Sequence, residues 1–237
     1  MTRHPIKHEV AQAYQTLAST GQTDMVWGHV SARDPDGRGV WMKAAGWGFD
    51  EITPDRVVLV SPDGDVISGT GNRHIEYPIH TEIMATRTDV GAVLHSHAPS
   101  AAVFASLDVP LRALSHDAVP FVEPDIPRFL ESGDLISDRS MGCRLAETIG
   151  DAAGALIPGH GLVVVGPTLA VAVMRAVLLE RACRNQLQAI AAGGPARWSG
   201  TEELASKRRQ VWSMKQYQAG YDYLLRHIAP IAEGGQP

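Results

Sequence analysis

Two hydrophobic periods alternate along the chain, one typical of helices and the other typical of strands. Residues 5 to about 19 carry apolar side chains at helical spacing, which predicts an amphipathic helix. Short β-type runs follow, namely a strand running into a turn in GHVSARDPDGRG, then VWMKAAG up to Gly46, RVVLV, DVISG, GAVLH, GALI and GLVVVG. The turn residues Pro62, Asp63 and Gly64 join the third run to the fourth. We interpret the segment ALSHDAVPFVEP as strand and loop.

Helical patterns separate the later β-type runs. Pro78 suits the first turn of a helix over about 78–87, because the missing N–H of proline costs nothing there. PSAAVFASL and MGCRLAETIG predict two more helices, the second of which ends at Gly150. Thr168 is a suitable N-cap for a long helix that Gly193 terminates.

The last helix, one loop-like stretch and the lack of a linker complete the predicted domain organisation. A last helix is expected from about 201 to 226, and residues 126–139 are the most loop-like stretch. No internal repeat occurs, and no linker separates two cores. Because strands and helices interleave throughout, we expect a single α/β domain over residues 1–237.

Composition excludes several classes of function. Hydrophobic residues make up 44% and charged residues 20% of the 237 positions, which is ordinary for a folded soluble protein. The net charge of −5 shows no basic field, so neither nucleic acid nor an anionic membrane surface is an expected partner. No apolar run approaches the roughly 20 residues that span a bilayer. The polar N-terminus and two cysteines without metal or redox spacing indicate the cytoplasm.

Histidines are unusually concentrated in one part of the chain, since five of the ten fall between His74 and His116. His95 and His97 end the GAVLH strand two residues apart, and a strand places such residues on one face. Glu76 precedes the helix that leads into this strand, and His160 lies between two glycines. Three imidazoles and a carboxylate suit Zn²⁺ or a similar first-row ion. Taken singly, each residue could instead be a turn histidine or a helix-dipole partner.

The order IEYPIH, AVLHSHA and GHGLVVVG, followed by a long Ala/Leu/Glu helix, resembles the class II aldolase/adducin family. The resemblance implies a three-layer α/β/α sandwich with a mixed central sheet, and a homotetramer with active sites between subunits. It also implies that His95, His97 and His160 bind one divalent metal ion per subunit, usually Zn²⁺, with Mn²⁺, Co²⁺ or Fe²⁺ as alternatives. Glu76 would ligate the ion at rest and act as acid/base when substrate displaces it.

The sequence departs from the sugar-phosphate members of that family where they bind phosphate. Gly28 and Gly46 are kept, but His29 replaces an asparagine, and His74 and Ile75 replace a pair of serines. Gly28, His29, Gly46 and His74 are therefore the expected substrate-binding residues. Histidines can donate to a carboxylate or phenolate as well as to a phosphate, whereas isoleucine cannot. We expect a small, unphosphorylated hydroxy/keto or aromatic-derived carboxylic acid as substrate, with Trp47 and Phe49 as apolar wall or core.

The expected reaction is carbon–carbon cleavage by a divalent-metal-dependent lyase, either a decarboxylase or an aldolase. The ion would stabilise the enolate that both reactions share, and Glu76 would hold or deliver the proton. His116 roughly matches a tyrosine that protonates the intermediate from a neighbouring subunit, or it has no role. His80 is a candidate hydrogen-bond partner for Glu76, or plain packing. The tyrosines 217, 221 and 223 are assigned to packing rather than to the site.

Three other functions remain open at this point. Three histidines can also hold Fe²⁺ for an oxygenase on the same fold. A sugar-phosphate aldolase or epimerase would need a phosphate site built from other residues. A scaffold like adducin would keep the fold without catalysis, although such a protein has no reason to retain all four candidate ligands.

Overall fold

The computed structural model describes residues 5–228, in which seven strands form a single sheet covered by helices. The strands are β1 His29–Arg33, β2 Val40–Lys43, β3 Val57–Val60, β4 Val66–Ser68, β5 Ala92–Ser96, β6 Gly154–Ile157 and β7 Gly161–Gly166. The helices are α1 Pro5–Ala18, α2 Tyr77–Thr86, α3 Pro99–Ala105, α4 Arg139–Ile149, α5 Leu169–Ala191, α6 Thr201–Gln210 and α7 Met214–Leu225. Short 3-10 segments span Phe49–Glu51, Pro54–Arg56 and His116–Phe121.

The strand order is β4-β3-β2-β1-β5-β7-β6, and every pairing between these strands is antiparallel. The mixed sheet implied by the resemblance is therefore wrong in this detail. The one parallel pairing within residues 5–228 is an isolated bridge between Arg128 and Leu156. Because β1, β5 and β7 are neighbours, the start of β1, the end of β5 and the start of β7 meet at one edge of the sheet.

Helices cover both faces of the sheet, so the expected three layers are present. Alternate residues of β5 separate into two cores: Leu94 packs in one with α1, α3 and α5, and Val93 packs in the other with α2 and α4. This alternation follows from the two-residue period of a strand that is buried on both faces. A strand that is buried on both faces has apolar residues at consecutive positions. This explains why the segments GLVVVG and VVLV lack polar residues.

Two segments differ from the sequence-based expectation. The segment expected as strand and loop contains the 3-10 helix His116–Phe121, in which Ala118 and Phe121 lie three residues apart and are both buried. The 3-10 helix has three residues per turn, so this spacing places both side chains on one face, and the segment packs against α5.

The expected last helix is broken into α6 and α7. Trp212 lies between them, and its indole N–H donates to the carbonyl oxygen of His116 at 2.7 Å. Its ring stacks on Tyr217, with ring centres 5.5 Å apart. Ser213 is extended, which ends the helical path before α7 begins. Tyr217 and Tyr221 are buried in the core, as the assignment to packing predicted, whereas Tyr223 is 54% exposed.

Helix ends behave as predicted elsewhere. The Thr168 hydroxyl accepts a hydrogen bond from the Val171 N–H at the start of α5. Gly150 follows α4 with a positive φ of 49°. None of the helices within residues 5–228 combines the length and apolar character that a membrane span requires.

Candidate metal centre

Three elements and one turn bring the candidate ligands together at the sheet edge. His29 pairs directly with His95 across β1 and β5, and their ring centres are 4.9 Å apart. His160 lies in the turn between β6 and β7, immediately before the strand that pairs with β5. Glu76 is the residue that precedes α2, the helix packed over this edge.

Four of the predicted residues form one group. The ligand atoms of Glu76, His95, His97 and His160 all lie within 4.8 Å of one another. Two Nε2 atoms face the carboxylate, that of His95 at 3.8 Å from Oε2 and that of His160 at 3.7 Å from Oε1. These distances are too long for direct hydrogen bonds, so the group leaves space between its members.

The remaining ring nitrogens of two histidines are already occupied. The Nδ1 atom of His95 lies 2.9 Å from the carbonyl oxygen of Leu162, which can only accept a hydrogen bond. The Nδ1 atom of His97 lies 2.7 Å from the carboxylate of Asp24. Both Nδ1 atoms therefore carry the proton, and both Nε2 atoms present a lone pair.

These Nε2 atoms give an independent test of whether a metal ion fits. Within the described residues, Nε2 of His95 and Nε2 of His97 are buried without a hydrogen-bond partner. A buried lone pair without a donor is costly, and a cation placed in the group would satisfy it. Burial lowers the pKa of His160 to about 4 and that of His95 well below the usual value, so both rings are neutral and able to ligate. The donor set fits a divalent ion.

Glu76 is held in place although it is almost fully buried. It is 2% exposed, and its Oε1 accepts a hydrogen bond from the Ile136 N–H at 2.9 Å. Burial raises the pKa of Glu76 above its ordinary value. A carboxyl group of this kind can hold a proton near neutral pH more readily than an exposed glutamate.

A second group lies on the other side of Glu76. His29, His74 and Glu76 also bring their ligand atoms within 4.8 Å of one another, and all three are buried. The rings of His29 and His74 are 4.2 Å apart. Nε2 of His29 and Nδ1 of His74 are buried without a hydrogen-bond partner within residues 5–228. Burial lowers the pKa of His74 to about 4, so this imidazole is neutral around pH 7.

Within the described residues the His80 ring hydrogen-bonds to other partners than Glu76, which corrects the partner expected for it. Its Nε2 lies 2.6 Å from Nδ1 of His29, and its Nδ1 lies 2.6 Å from the hydroxyl oxygen of Ser31. His80 bonds to these residues instead of Glu76 because its ring points from α2 toward β1 and not toward the start of the helix. His80 and Ser31 are both fully buried.

The two glycines predicted to contact substrate both have a positive φ, a backbone conformation that favours glycine. Gly28 has a φ of +72°, and a Cβ there would lie 2.9 Å from Phe49 Cζ, so only glycine fits. Gly46 has a φ of +89° but faces open space. Phe49 packs in the core against Tyr14 and does not form a cavity wall. Trp47 is half-buried, with the Arg56 guanidinium 3.6 Å from its ring centre.

Sequence reasoning missed Asp24 and Lys43. Asp24 lies more than 70 positions before His97, and nothing in the local pattern of the chain signals its role. Lys43 is fully buried at the end of β2, and its ammonium donates to the carbonyl oxygens of Val26 and Trp47 at 2.7 and 2.9 Å. Burial lowers the pKa of Lys43 to about 8. Its charge acts on His29 and His74, so it makes their surroundings more positive.

His116 is not brought to this group within the chain. It is exposed at the start of its 3-10 helix, where its backbone carbonyl accepts from Trp212. The charge of His116 acts on Glu203. Any part it plays in a site must therefore be in another copy of the chain.

Known proteins with similar sequence or structure carry three different reaction names. The chain is 33% identical over 193 residues to a 4-hydroxy-3-prenylphenylpyruvate oxygenase/4-hydroxy-3-prenylbenzoate synthase of Streptomyces roseochromogenus subsp. oscitans, covering 80% of this chain and 69% of the relative. It is 27% identical over 214 residues to a 3,4-dihydroxyphthalate decarboxylase of Arthrobacter keyseri, covering 82% of each. The L-fuculose 1-phosphate aldolase of Glaciozyma antarctica PI12 superposes with a TM-score of 0.81 at 26% identity, over 94% of this chain and 88% of the aldolase.

These similarities confirm the expected fold and the resemblance to a decarboxylase-like branch. Class II aldolases use a divalent metal ion, in agreement with the donor set described above. The family described as Class II Aldolase and Adducin N-terminal domain matches residues 8–187. From this match and the shared fold we conclude that the chain belongs to the class II aldolase and adducin family.

Proposed function

We propose that this protein is a divalent-metal-dependent carbon–carbon lyase, a decarboxylase or an aldolase, that acts on an unphosphorylated hydroxy/keto or aromatic-derived carboxylic acid. The observation that supports the proposal most is the convergence of His95, His97, His160 and Glu76. Two Nε2 lone pairs are aimed into this group without a donor to satisfy them. A scaffold protein would gain nothing from such costly burial.

Each residue of the group has a separate task in this proposal. The three histidines hold the ion, for which Zn²⁺ is the first choice. When bound, the ion supplies positive charge beside the substrate oxygen on which negative charge accumulates as the carbon–carbon bond breaks. Glu76 takes up or returns the proton at its carboxylate, aided by the burial that raises its pKa. The Ile136 N–H orients that carboxylate.

The second group supports an unphosphorylated, carboxylated substrate. His29 and His74 stand where sugar-phosphate members place phosphate-binding side chains, and Ile75 between His74 and Glu76 is 50% exposed and apolar. A carboxylate needs fewer donors than a phosphate, and two imidazole N–H groups near the Lys43 charge can supply them. The relative named as a 3,4-dihydroxyphthalate decarboxylase acts, by its name, on a carboxylated aromatic compound.

Metal analysis tests this proposal first. We would purify the protein without chelator and measure bound metal in the wild type and in His97→Ala. About one equivalent of zinc, manganese or cobalt per chain, lost in the variant, supports the lyase and justifies a screen of hydroxy-keto and aromatic acids for released carbon dioxide or aldehyde. No metal in either protein after reconstitution would overturn the proposal.

An Fe²⁺-dependent oxygenase is the second candidate function, because the relative with 33% identity is named as an oxygenase. Three neutral histidines can hold Fe²⁺ as well as Zn²⁺. The discriminating measurement is oxygen uptake by the iron-loaded and zinc-loaded proteins with the same aromatic acids. Uptake that depends on iron and on substrate favours the oxygenase, whereas turnover without oxygen favours the lyase.

We also propose a homotetramer in which His116 serves a neighbouring site. Its exposure, and its absence from both groups of candidate ligands within residues 5–228, support this arrangement. Light scattering should give about four times the chain mass of 25.5 kDa. Co-expression of Glu76→Gln and His116→Ala chains should restore about a quarter of wild-type activity, because each complete site needs one intact residue from each chain. No restoration in mixed tetramers would contradict the role of His116.

A further inference from the structure

Ser31, His80 and His29 form a chain of hydrogen bonds that ends beside Glu76. The Ser31 hydroxyl lies 2.6 Å from His80 Nδ1, and His80 Nε2 lies 2.6 Å from His29 Nδ1. His29 Nε2 then faces Glu76 Oε2 at 3.5 Å, longer than a direct hydrogen bond. All three members of the chain are fully buried. Ser31 and His29 are two residues apart on β1 and so share one face of the strand.

The number of protons in this chain limits its arrangement to two states. His80 Nε2 and His29 Nδ1 lie 2.6 Å apart, so one of them donates and the other accepts, and as fully buried neutral imidazoles the two rings carry one N–H each. In the forward state Ser31 donates to His80, His80 donates to His29, and His29 presents an N–H at Nε2. In the reverse state each proton points the other way, and His29 presents a lone pair at Nε2.

Two features favour the forward state. In the reverse state the Ser31 hydroxyl accepts from His80 and its own proton points elsewhere, although within residues 5–228 Ser31 has no other side-chain hydrogen bond. A buried donor without an acceptor destabilises the folded state. The reverse state also turns the His29 lone pair toward the Glu76 carboxylate, whereas the forward state turns an N–H toward it. The Val93 carbonyl, which raises the pKa of His80, is a competing acceptor for the His80 proton.

We infer that Ser31 and His80 are positioning residues that hold His29 in the tautomer with its proton on Nε2, aimed at the space beside Glu76. This inference rests on the proposed function only for the identity of the bound molecule. The group of His29, His74 and Glu76 then takes a carboxylate oxygen of the substrate. It does not take a second metal ion, because a ring nitrogen that carries a proton cannot ligate a metal.

Nitrogen NMR of protein labelled with ¹⁵N-histidine tests the tautomer without any substrate. Spectra are recorded at pH 7.5 for the metal-free and the zinc-loaded wild type, and His29→Gln assigns the His29 signals. We expect His29 Nε2 in the protonated range and His29 Nδ1 in the unprotonated range in both forms. The opposite pattern would overturn the inference even if the enzyme proves to be a lyase.

Variants of Ser31 separate positioning from plain packing. Ser31→Ala removes the donor and should leave His29 in a mixture of both tautomers, while Ser31→Thr keeps a hydroxyl and should keep the single tautomer. Ser106→Ala, at an exposed position after α3, is the matched control. A single unchanged tautomer in Ser31→Ala would overturn the positioning role. Both Ser31 variants should still bind one equivalent of zinc, which shows that they fold and that the first group is intact.

Zinc titration of the wild type tests the predicted ligand class. One tight equivalent per chain is expected, from the group with His95. A second tight equivalent that disappears in His29→Gln would show a metal site where the inference places a carboxylate, and would overturn it. Benzoate serves as the carboxylate probe for the zinc-loaded protein. It should bind at least several-fold more weakly to Ser31→Ala than to Ser106→Ala, and equal affinity would count against the inference.

Discussion

Two groups of histidines lie on either side of Glu76. Their side chains are the same, but the hydrogen-bond partners of their Nδ1 atoms differ. On one side, Nδ1 of His95 and of His97 meet acceptors, the Leu162 carbonyl and the Asp24 carboxylate. On the other side, Nδ1 of His29 meets His80, which Ser31 supports. The acceptors leave lone pairs at Nε2, whereas the serine–histidine pair leaves an N–H. Identical side chains are thereby prepared for a cation and for an anion at one sheet edge.

In this comparison, the hydrogen-bond partner of Nδ1 decides whether Nε2 of the same histidine has a lone pair for a cation or an N–H for an anion. His29 and His95 are paired across neighbouring strands, have similar burial and both have pKa values well below the ordinary value. Neither burial nor pKa distinguishes them. The distinction comes from the residue that hydrogen-bonds to Nδ1 of each ring. That residue does not itself contact a ligand bound at Nε2.

The largest expected effect comes from deleting one histidine of each group. His95→Ala should lose nearly all bound metal, with a dissociation constant raised by more than about 100-fold, because even outer partners of ligands contribute 10–100-fold. His29→Ala should keep about one equivalent. Metal analysis by mass spectrometry after gel filtration measures both. Since His95 is fully buried, His97→Ala serves as a second variant at a partly exposed position. Equal metal loss in His29→Ala would erase the distinction between the groups.

Glu76→Gln should reduce kcat by roughly 10²–10⁴-fold on the substrate that a screen identifies, because the amide cannot hold the proton. The amide oxygen can still accept from the Ile136 N–H, so the fold should be retained. Glu82→Gln is the matched control, since Glu82 is a buried carboxylate of the same helix outside the site. Steady-state kinetics at saturating zinc provide the measurement. A drop of the same size in Glu82→Gln would indicate damage to α2 rather than loss of a proton carrier.

Asp24→Asn should weaken zinc binding by about 10–100-fold, the usual cost of removing the partner of a metal-bound histidine. The amide can present its NH₂ to His97 Nδ1, which would favour the tautomer that cannot ligate through Nε2. Competition with a chromophoric chelator gives the dissociation constant. Asp63→Asn, at a position with 82% side-chain exposure, should leave the constant unchanged. An unchanged constant in Asp24→Asn would mean that His97 is oriented by its strand alone.

The members of both groups were predicted from the sequence, but the hydrogen bonds behind them were not. The i, i+2 spacing of His95 and His97 is visible in a strand pattern, and the family resemblance supplies Glu76 and His160. The hydrogen bonds behind them depend on contacts between residues far apart in the chain, such as Asp24 with His97. The His80 ring reaches Ser31 because α2 packs over β5, the strand next to β1, and a single-sequence periodicity carries no information about that packing.

Sequence patterns gave wrong elements where contacts between distant residues determine the structure. The break between α6 and α7 depends on the indole of Trp212 reaching the carbonyl of His116, nearly 100 residues away. Ser213, which occupies the N-cap position of α7, is a local signal of a new helix start that the expected helix over about 201–226 did not include. The antiparallel sheet is a similar case, because strand direction follows from connections between elements rather than from the composition of each strand.

The smallest expected effect concerns the pH dependence of stability without metal. The pKa of His74 is lowered to about 4, so between that pH and about 6.5 the unfolded chain binds a proton that the folded chain does not. Stability should therefore rise with pH through this window, by roughly 1.4 kcal/mol per pH unit for His74. Urea unfolding in EDTA at pH 5 and 6 gives the slope. His74→Gln should reduce it, whereas His8→Gln, at an exposed position, should not. If zinc at fixed pH stabilises wild type and His74→Gln equally, the two groups act independently on the fold although they share Glu76.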